Sequence, residues 1–302
     1  MRVLNFGSLN LDHVYRVSRF VQPGETLSAL SQKVLPGGKG LNQSVALSKA
    51  GARVYHAGCL GEDGKMLEKL LSECSIDTRF LRHVDEIQGN AVIQVDDEGQ
   101  NCILLFGGSN RCVTKEQVDA TLTFFTEGDF LILQNEINLL PLIVDRAYER
   151  GMTIVLNPSP CDESLKDVDF HKIRWLIVNE VEAEQLAGSM VPEKAWGFLH
   201  EKYPQMNLVV TLGAEGSAAF SDSGTVFQEA FPVHAADTTA AGDTFTGYFV
   251  AGLAEGLNLK DCMERASMAA AISVTREGAA PSIPKRSEVE EALLQERKAG
   301  RL

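Results

Sequence analysis

Nowhere does the sequence carry the roughly 18 consecutive apolar residues that a membrane-spanning helix needs. Its start, MRVLNFGSLN, enters a strand-like pattern at once, with no basic segment leading an apolar one. Both absences point to a cytoplasmic protein. Basic charge is scarce as well: 28 Lys and Arg stand against 41 Asp and Glu, a formal net charge of −13. A surface of that sign disfavours nucleic acid and anionic membrane as partners. The six cysteines, at 59, 74, 102, 112, 161 and 262, form no Cys-x-x-Cys pair, and the six histidines are equally scattered. Buried free thiols are expected, and not a zinc site or a disulfide framework. No His-Glu-x-x-His or Gly-x-Ser-x-Gly string occurs, so zinc and serine hydrolysis lose their usual signals.

What the sequence does have is 302 residues of ordinary globular composition, 44% hydrophobic and 23% charged, enough for one large domain or two ordinary ones. Short apolar runs at Val3–Phe6, Phe130–Leu133, Thr153–Leu156, Trp175–Val178 and Leu208–Thr211 are separated by stretches long enough for helices. That alternation predicts an α/β fold, a doubly wound, mostly parallel sheet with helices on both faces. Polar residues follow the runs: Asn10 and Asp12, Gln134-Asn135-Glu136, Asn157, Asn179, and Gly213 to Gly216. In open parallel sheets ligands bind at such carboxyl ends, although Asn10 and Asp12 alone also suit a turn. Two segments, at about 13–36 and 89–107, alternate at period two and interrupt the βα rhythm. They predict a small β-lid on a single domain spanning 1–302, the alternative being extra edge strands. A lid sheet with an exposed apolar face needs a cover, and a homodimer through the lid is the expectation.

Two stretches concentrate the chemistry. Residues 35–43, Leu-Pro-Gly-Gly-Lys-Gly-Leu-Asn-Gln, open a short helix closed by Gly51. This is not a Walker loop, because Gly40 follows Lys39 and Lys33 occupies the place of the first Gly. The dinucleotide fingerprint fails too, with Gln43 where its last Gly belongs. Residues 237–245, Asp-Thr-Thr-Ala-Ala-Gly-Asp-Thr-Phe, join strand-like segments between Gly224 and Ala236 to a helix marked by Phe245, Phe249 and Leu253. The small residues Ala240, Ala241 and Gly242 leave helix-start N–H groups open to an anion such as phosphate. Asp243 beside them reads either as a plain helix-starting carboxylate or as a site residue.

The strings GGKGLNQ and DTTAAGDTF resemble the two signatures of the carbohydrate kinases typified by ribokinase, and the likeness runs from about residue 1 to 286. The resemblance implies ATP-dependent, Mg²⁺-assisted phosphoryl transfer to a small sugar, D-ribose above others. It makes Asp243 the base that takes the sugar hydroxyl proton and Ala240, Ala241 and Gly242 the anion hole. Asn10, Asp12, Gly38, Lys39, Asn42 and Glu136 become the sugar contacts. Asn179 and Glu182 match the family's Asn-x-x-Glu element, which organises Mg²⁺ and phosphates through water, and Thr211, Gly213, Gly216, Gly242 and Ser267 fall on the nucleotide side. A monovalent cation, K⁺, falls to Asp237, Thr239, Ser273, Arg276, Gly278 and Ser282, the inner ones by backbone carbonyl. Relatives often carry His or Asn where Ser267 stands, and His where Phe106 stands.

Three other readings compete. One is a sister kinase acting on deoxyribose, a ketohexose or a nucleoside. Another is a sugar-sensing protein on an inactive kinase scaffold, against which Asp243 argues. The third, a nicotinamide dehydrogenase, lacks its glycine fingerprint.

Overall fold

The computed structural model describes residues 1–301; Leu302, the last residue of the expected single domain, lies outside the described residues. In chain order the elements are β1 (Arg2–Phe6), β2 (Asn10–Arg16), β3 (Ser31–Gly37), α1 (Lys39–Lys49), β4 (Arg53–Leu60), α2 (Lys65–Glu73), β5 (Asp77–His83), β6 (Asn90–Val95) and β7 (Asn101–Phe106). The second half continues with α3 (Lys115–Leu122), β8 (Phe130–Gln134), α4 (Leu140–Glu149), β9 (Thr153–Asn157), β10 (Trp175–Asn179), α5 (Glu180–Ala187), α6 (Pro192–Lys202) and β11 (Asn207–Thr211). Then come β12 (Ser217–Ser221), β13 (Gly224–Gln228), α7 (Ala241–Glu255), α8 (Leu259–Ser273) and α9 (Arg286–Lys298).

Nine strands make one sheet in the order β13-β12-β11-β10-β9-β8-β1-β4-β5. From β5 to β11 every neighbouring pair is parallel, and only the β12 and β13 hairpin runs antiparallel, at one edge. The chain leaves β1 toward β4 and later returns to its other side as β8. The strand order therefore reverses between β1 and β8, where open α/β sheets place ligands beyond the strand ends. Alternation along each buried strand feeds two cores. Val3, Ile132, Val155, Ile177 and Val209 face α1, α7 and α8, while Leu4, Leu131, Leu133, Leu176 and Leu208 face the opposite helix layer. Each such side chain, removed from water, contributes roughly 1.5–3 kcal/mol.

A second, four-stranded sheet stands off this body in the order β3-β2-β6-β7. Strand β2 pairs antiparallel with β3 and parallel with β6, which pairs antiparallel with β7. The sequence reading put Asn10 and Asp12 just past the carboxyl end of β1, outside the lid strands expected from about residue 13. Instead they lie in β2, opposite Gly37 and Leu35, because the backbone passes from one sheet to the other through Gly7–Leu9. The reading also gave strands up to Ala236, but pairing ends at Gln228. All six cysteines are free, yet only Cys59 and Cys262 are fully buried. Cys102 is exposed because it lies on β7, the outer strand of the small sheet.

Helices α1 and α7 meet at a glycine. A Cβ on Gly247 would lie 2.4 Å from the Ala46 Cβ and 2.9 Å from the Leu47 backbone nitrogen, so only a residue without a side chain lets the helices approach this far.

Candidate active site

The site collects at the carboxyl ends of β1, β8, β9, β10 and β11 and at the starts of α1 and α7. Helix α1 begins after Gly38, whose φ of 93° suits glycine and few other residues. A Cβ there would stand 2.9 Å from the Asn10 backbone nitrogen. The glycine loop is thereby laid against β2. The Lys39 N–H donates to Glu136 Oε2 at 3.1 Å, and the Ser8 hydroxyl donates to the same oxygen. Ser8 and Glu136 thus bridge the ends of β1 and β8 at the reversal point.

Asp243 lies in the first turn of α7 and is buried. Asn42 Nδ2 donates to its Oδ2 at 3.0 Å and Gln43 Nε2 to its Oδ1 at 2.9 Å. Residues two hundred positions apart are therefore joined in one cluster. Burial raises the Asp243 pKa, against the opposing pull of the Lys39 charge and of the two amide bonds. Glu136 is raised by burial as well, in spite of Lys39 and the Ser8 bond. Asp12 is pushed up to about 7 by burial and then by the charges of Glu136 and Asp243. Burial lowers the Lys39 ammonium, but the fields of Asp243, Glu136 and Glu182 outweigh it, so its pKa is raised. The cluster holds more carboxylates than cations. Asn10 is fixed from the other side, where Asn110 Nδ2 donates to its Oδ1 at 2.7 Å, and Asn42 Oδ1 is buried without a protein partner.

The other face of the α7 start is a cavity of about 440 Å³, lined by Thr211, Gly213, Gly216, Gly242, Phe245 and Ser267 among others. Ala240 is left-handed, with φ 60°, and turns the chain into the helix. The expected trio of open amides is corrected at one position: the Ala241 N–H points to Thr238 O at 3.3 Å, inside the turn. The Ala240, Gly242 and Asp243 N–H groups have no such acceptor, so Asp243 takes the place of Ala241 among the open amides. Asn179 caps α5 in a reciprocal box with Glu182: the Glu182 N–H donates to Asn179 Oδ1 at 2.8 Å, and the Asn179 N–H to Glu182 Oε2 at 3.0 Å. This box commits one oxygen of Glu182 and leaves the other.

The segment expected to hold a monovalent cation is compact. Asp237 Oδ1 accepts from the Thr239 N–H and hydroxyl, and Oδ2 accepts from the Gly278 N–H at 2.9 Å. Burial would raise the Asp237 pKa, but these bonds outweigh it and lower it. Two expected oxygens are already in use. Ser273 O accepts from the Arg276 N–H at 3.1 Å, and Ser282 O from the Arg276 guanidinium at 3.5 Å, which Glu288 also holds. The Ser273 and Ser282 hydroxyls donate locally, to Ala270 O and Ala279 O.

Sequence reasoning gave no role to Gln43, Ser8 or Asn110, and placed Gln134 only among the polar strand ends that could line a site. Gln43 sits inside the glycine string and Gln134 ends the buried run of β8, which were the available signals. Neither carries charge, so nothing in the string distinguished them from loop residues.

With this geometry in hand, the chain belongs to the pfkB family of carbohydrate kinases, whose match covers residues 2–286. It is therefore a sugar kinase, a phosphotransferase. It is 37% identical over 297 residues to the ribokinase of Haemophilus influenzae, an alignment covering 95% of this chain and 96% of that one. Among solved structures it is similar to the Cryptococcus neoformans ribokinase in complex with ADP, with a TM-score of 0.85, 33% identity, and 96% and 99% of the two chains covered. It is also similar to the Arabidopsis thaliana ribokinase complexed with ribose and ATP, with a TM-score of 0.84, 29% identity, and 96% and 98% covered.

Proposed function

We propose that the protein phosphorylates D-ribose at its 5-hydroxyl with ATP, in the cytoplasm, with Asp243 as general base. The observation that carries the reading is the double hold on Asp243: the loop proposed to bind sugar and the helix start proposed to bind phosphate meet at one buried carboxylate. Asn10, Asp12, Gly38, Lys39, Asn42 and Glu136 hold the sugar hydroxyls, the unpartnered Asn42 Oδ1 accepting from one of them. Asp243 takes the proton as the hydroxyl oxygen bonds to the γ-phosphorus and the bond to the bridging oxygen breaks. The amides at the start of α7 face the charge on the transferring group. Thr211, Gly213, Gly216 and Ser267 surround the nucleotide in the cavity.

Among the described residues no group of three or more His, Cys, Asp or Glu side chains could hold a metal ion. Asn179 and Glu182 offer one amide and one carboxylate, which suits an ion that keeps its own waters and is held largely by phosphate, as Mg²⁺ would be. When bound, Mg²⁺ neutralises phosphate charge. A K⁺ ion fits better by carbonyls near Gly278 with Asp237 than by a carboxylate cage, and would order the loop behind the anion hole. The small sheet acts as a lid, and a homodimer covers its exposed apolar strand. The test is kcat/KM over ribose, deoxyribose, fructose and adenosine with MgATP, in K⁺ or tetramethylammonium at equal ionic strength. Ribose is expected to lead and K⁺ to raise kcat; no turnover of any sugar would overturn the reading.

A further inference from the structure

We infer that Gln43 is a positioning residue for the Asp243 carboxylate, its amide aimed by two backbone carbonyls through a buried chain of side-chain amides. The inference rests on the reading of Asp243 as the base. A carboxamide has nearly the same outline either way round, so shape does not decide which end of Gln43 faces Asp243; its partners do. On one side Asn5 Nδ2 donates to Gly40 O at 2.8 Å and to the Ser44 hydroxyl at 2.9 Å. A carbonyl only accepts, so the Asn5 nitrogen must lie there and its oxygen faces away. Gln134 Nε2 then donates to Asn5 Oδ1 at 3.1 Å and to Gln43 Oε1 at 2.7 Å. On the other side Asn157 Nδ2 donates to Ile177 O at 3.0 Å, which leaves Asn157 Oδ1 to accept from Gln43 Nε2 at 3.1 Å.

Both ends of the chain give the same answer. The oxygen of Gln43 is committed to Gln134, and its nitrogen meets Asp243 Oδ1 at 2.9 Å. Asn5, Gln43 and Gln134 are each wholly buried, so bulk water offers no substitute partners. A donor that always meets the carboxylate favours its charged form, and the charged form is the one that can take a proton. A reversed amide would set oxygen against oxygen and add to what burial already does. The chain therefore keeps the carboxylate both oriented and ionised.

The test uses the full-length enzyme and the variants Gln43→Met and Gln134→Met. Three quantities are read: the pH profile of kcat with ribose and MgATP, the ribose KM, and the titration of the Asp243 ¹³Cγ signal in sugar-free enzyme, identified by its loss in Asp243→Asn. Gln43→Met is expected to move the Asp243 midpoint and the acid limb of kcat to higher pH and to lower kcat at neutral pH about tenfold, with ribose KM little changed. Gln134→Met, which does not touch Asp243, is expected to shift both in the same direction by less. If Gln43→Met does not fold, Gln43→Asn, which withdraws the amide by one methylene, reads the same quantities. Lower melting temperatures with midpoint and acid limb unmoved would overturn the inference, leaving the chain a purely structural one. Wild type that turns over no sugar would overturn the kinase reading instead, while the ¹³C titration still decides this one.

Discussion

A Cβ on Gly37 would lie 1.9 Å from Asp12 Oδ2, so the end of β3 and the carboxylate of β2 touch with no space for a methyl group. Gly37→Ala must displace that carboxylate. Losing hydrogen bonds to a charged group costs about 1.5–3 kcal/mol, or roughly 10- to 100-fold in ribose KM. Turnover is expected to fall less, since Asp243 is untouched. Steady-state kinetics checks this, and an unchanged KM would remove Asp12 from the sugar contacts.

Asp243→Asn keeps the shape of the side chain and loses the proton acceptor. If Asp243 is the base, kcat drops by about 10²–10⁴-fold while ribose affinity changes little. A residue that only favoured the helix start would give near-normal turnover and about 1 kcal/mol less stability. Measuring kcat and melting temperature on one variant separates the two, and a folded variant keeping over about a tenth of wild-type kcat excludes the base.

Stability should depend on pH through Asp12. Its carboxyl is held at about 7 against the ordinary value of 3.8. The folded state therefore keeps a proton that the unfolded chain releases, and stability is lost as pH rises between those two values. Asp12→Asn has no proton to release. Its melting temperature relative to wild type is expected to rise from pH 5 to pH 8, and a difference that stays flat across that range would contradict the shift.

Strand β7 is exposed along its length, with Leu104 71% and Phe106 53% accessible. Such a strand at a sheet edge invites pairing or cover. If a second copy supplies the cover, Leu104→Glu should convert a dimer to a monomer in light scattering at micromolar concentration. Wild type that is already monomeric and fully active would end the proposal.

In the main sheet β4 and β5, which carry Arg53, His56, Arg79 and Arg82, were not read as strands. Strands β1 and β8 to β11 were legible because buried parallel strands are short and almost wholly apolar, as Leu131–Leu133 and Leu208–Val210 are. The polar ends of those strands were legible for the same reason, since each stops an apolar run. That Asn10 and Asp12 belong to β2 was not legible, because nothing in their residue types marks a crossing from one sheet to another. The buried amides were invisible for a different reason. Gln43 and Gln134 are uncharged and 91 positions apart, and their pairing exists only once β8 lies beside α1. The Ala241 N–H could not be assigned from sequence, because the left-handed turn at Ala240, which sends it back to Thr238, uses a residue that rarely adopts that conformation.

Gly247 lies one turn beyond Asp243 on α7, and it packs on Ala46 and Leu47, one turn beyond Asn42 and Gln43 on α1. The spacing between Asp243 and the amides that hold it is thus gauged by two helix backbones in contact, one turn further along, as a stop sets the jaw of a vice. A side chain added at position 247 would therefore push α1 and α7 apart and disturb the hold of Asn42 and Gln43 on Asp243 without entering the site itself.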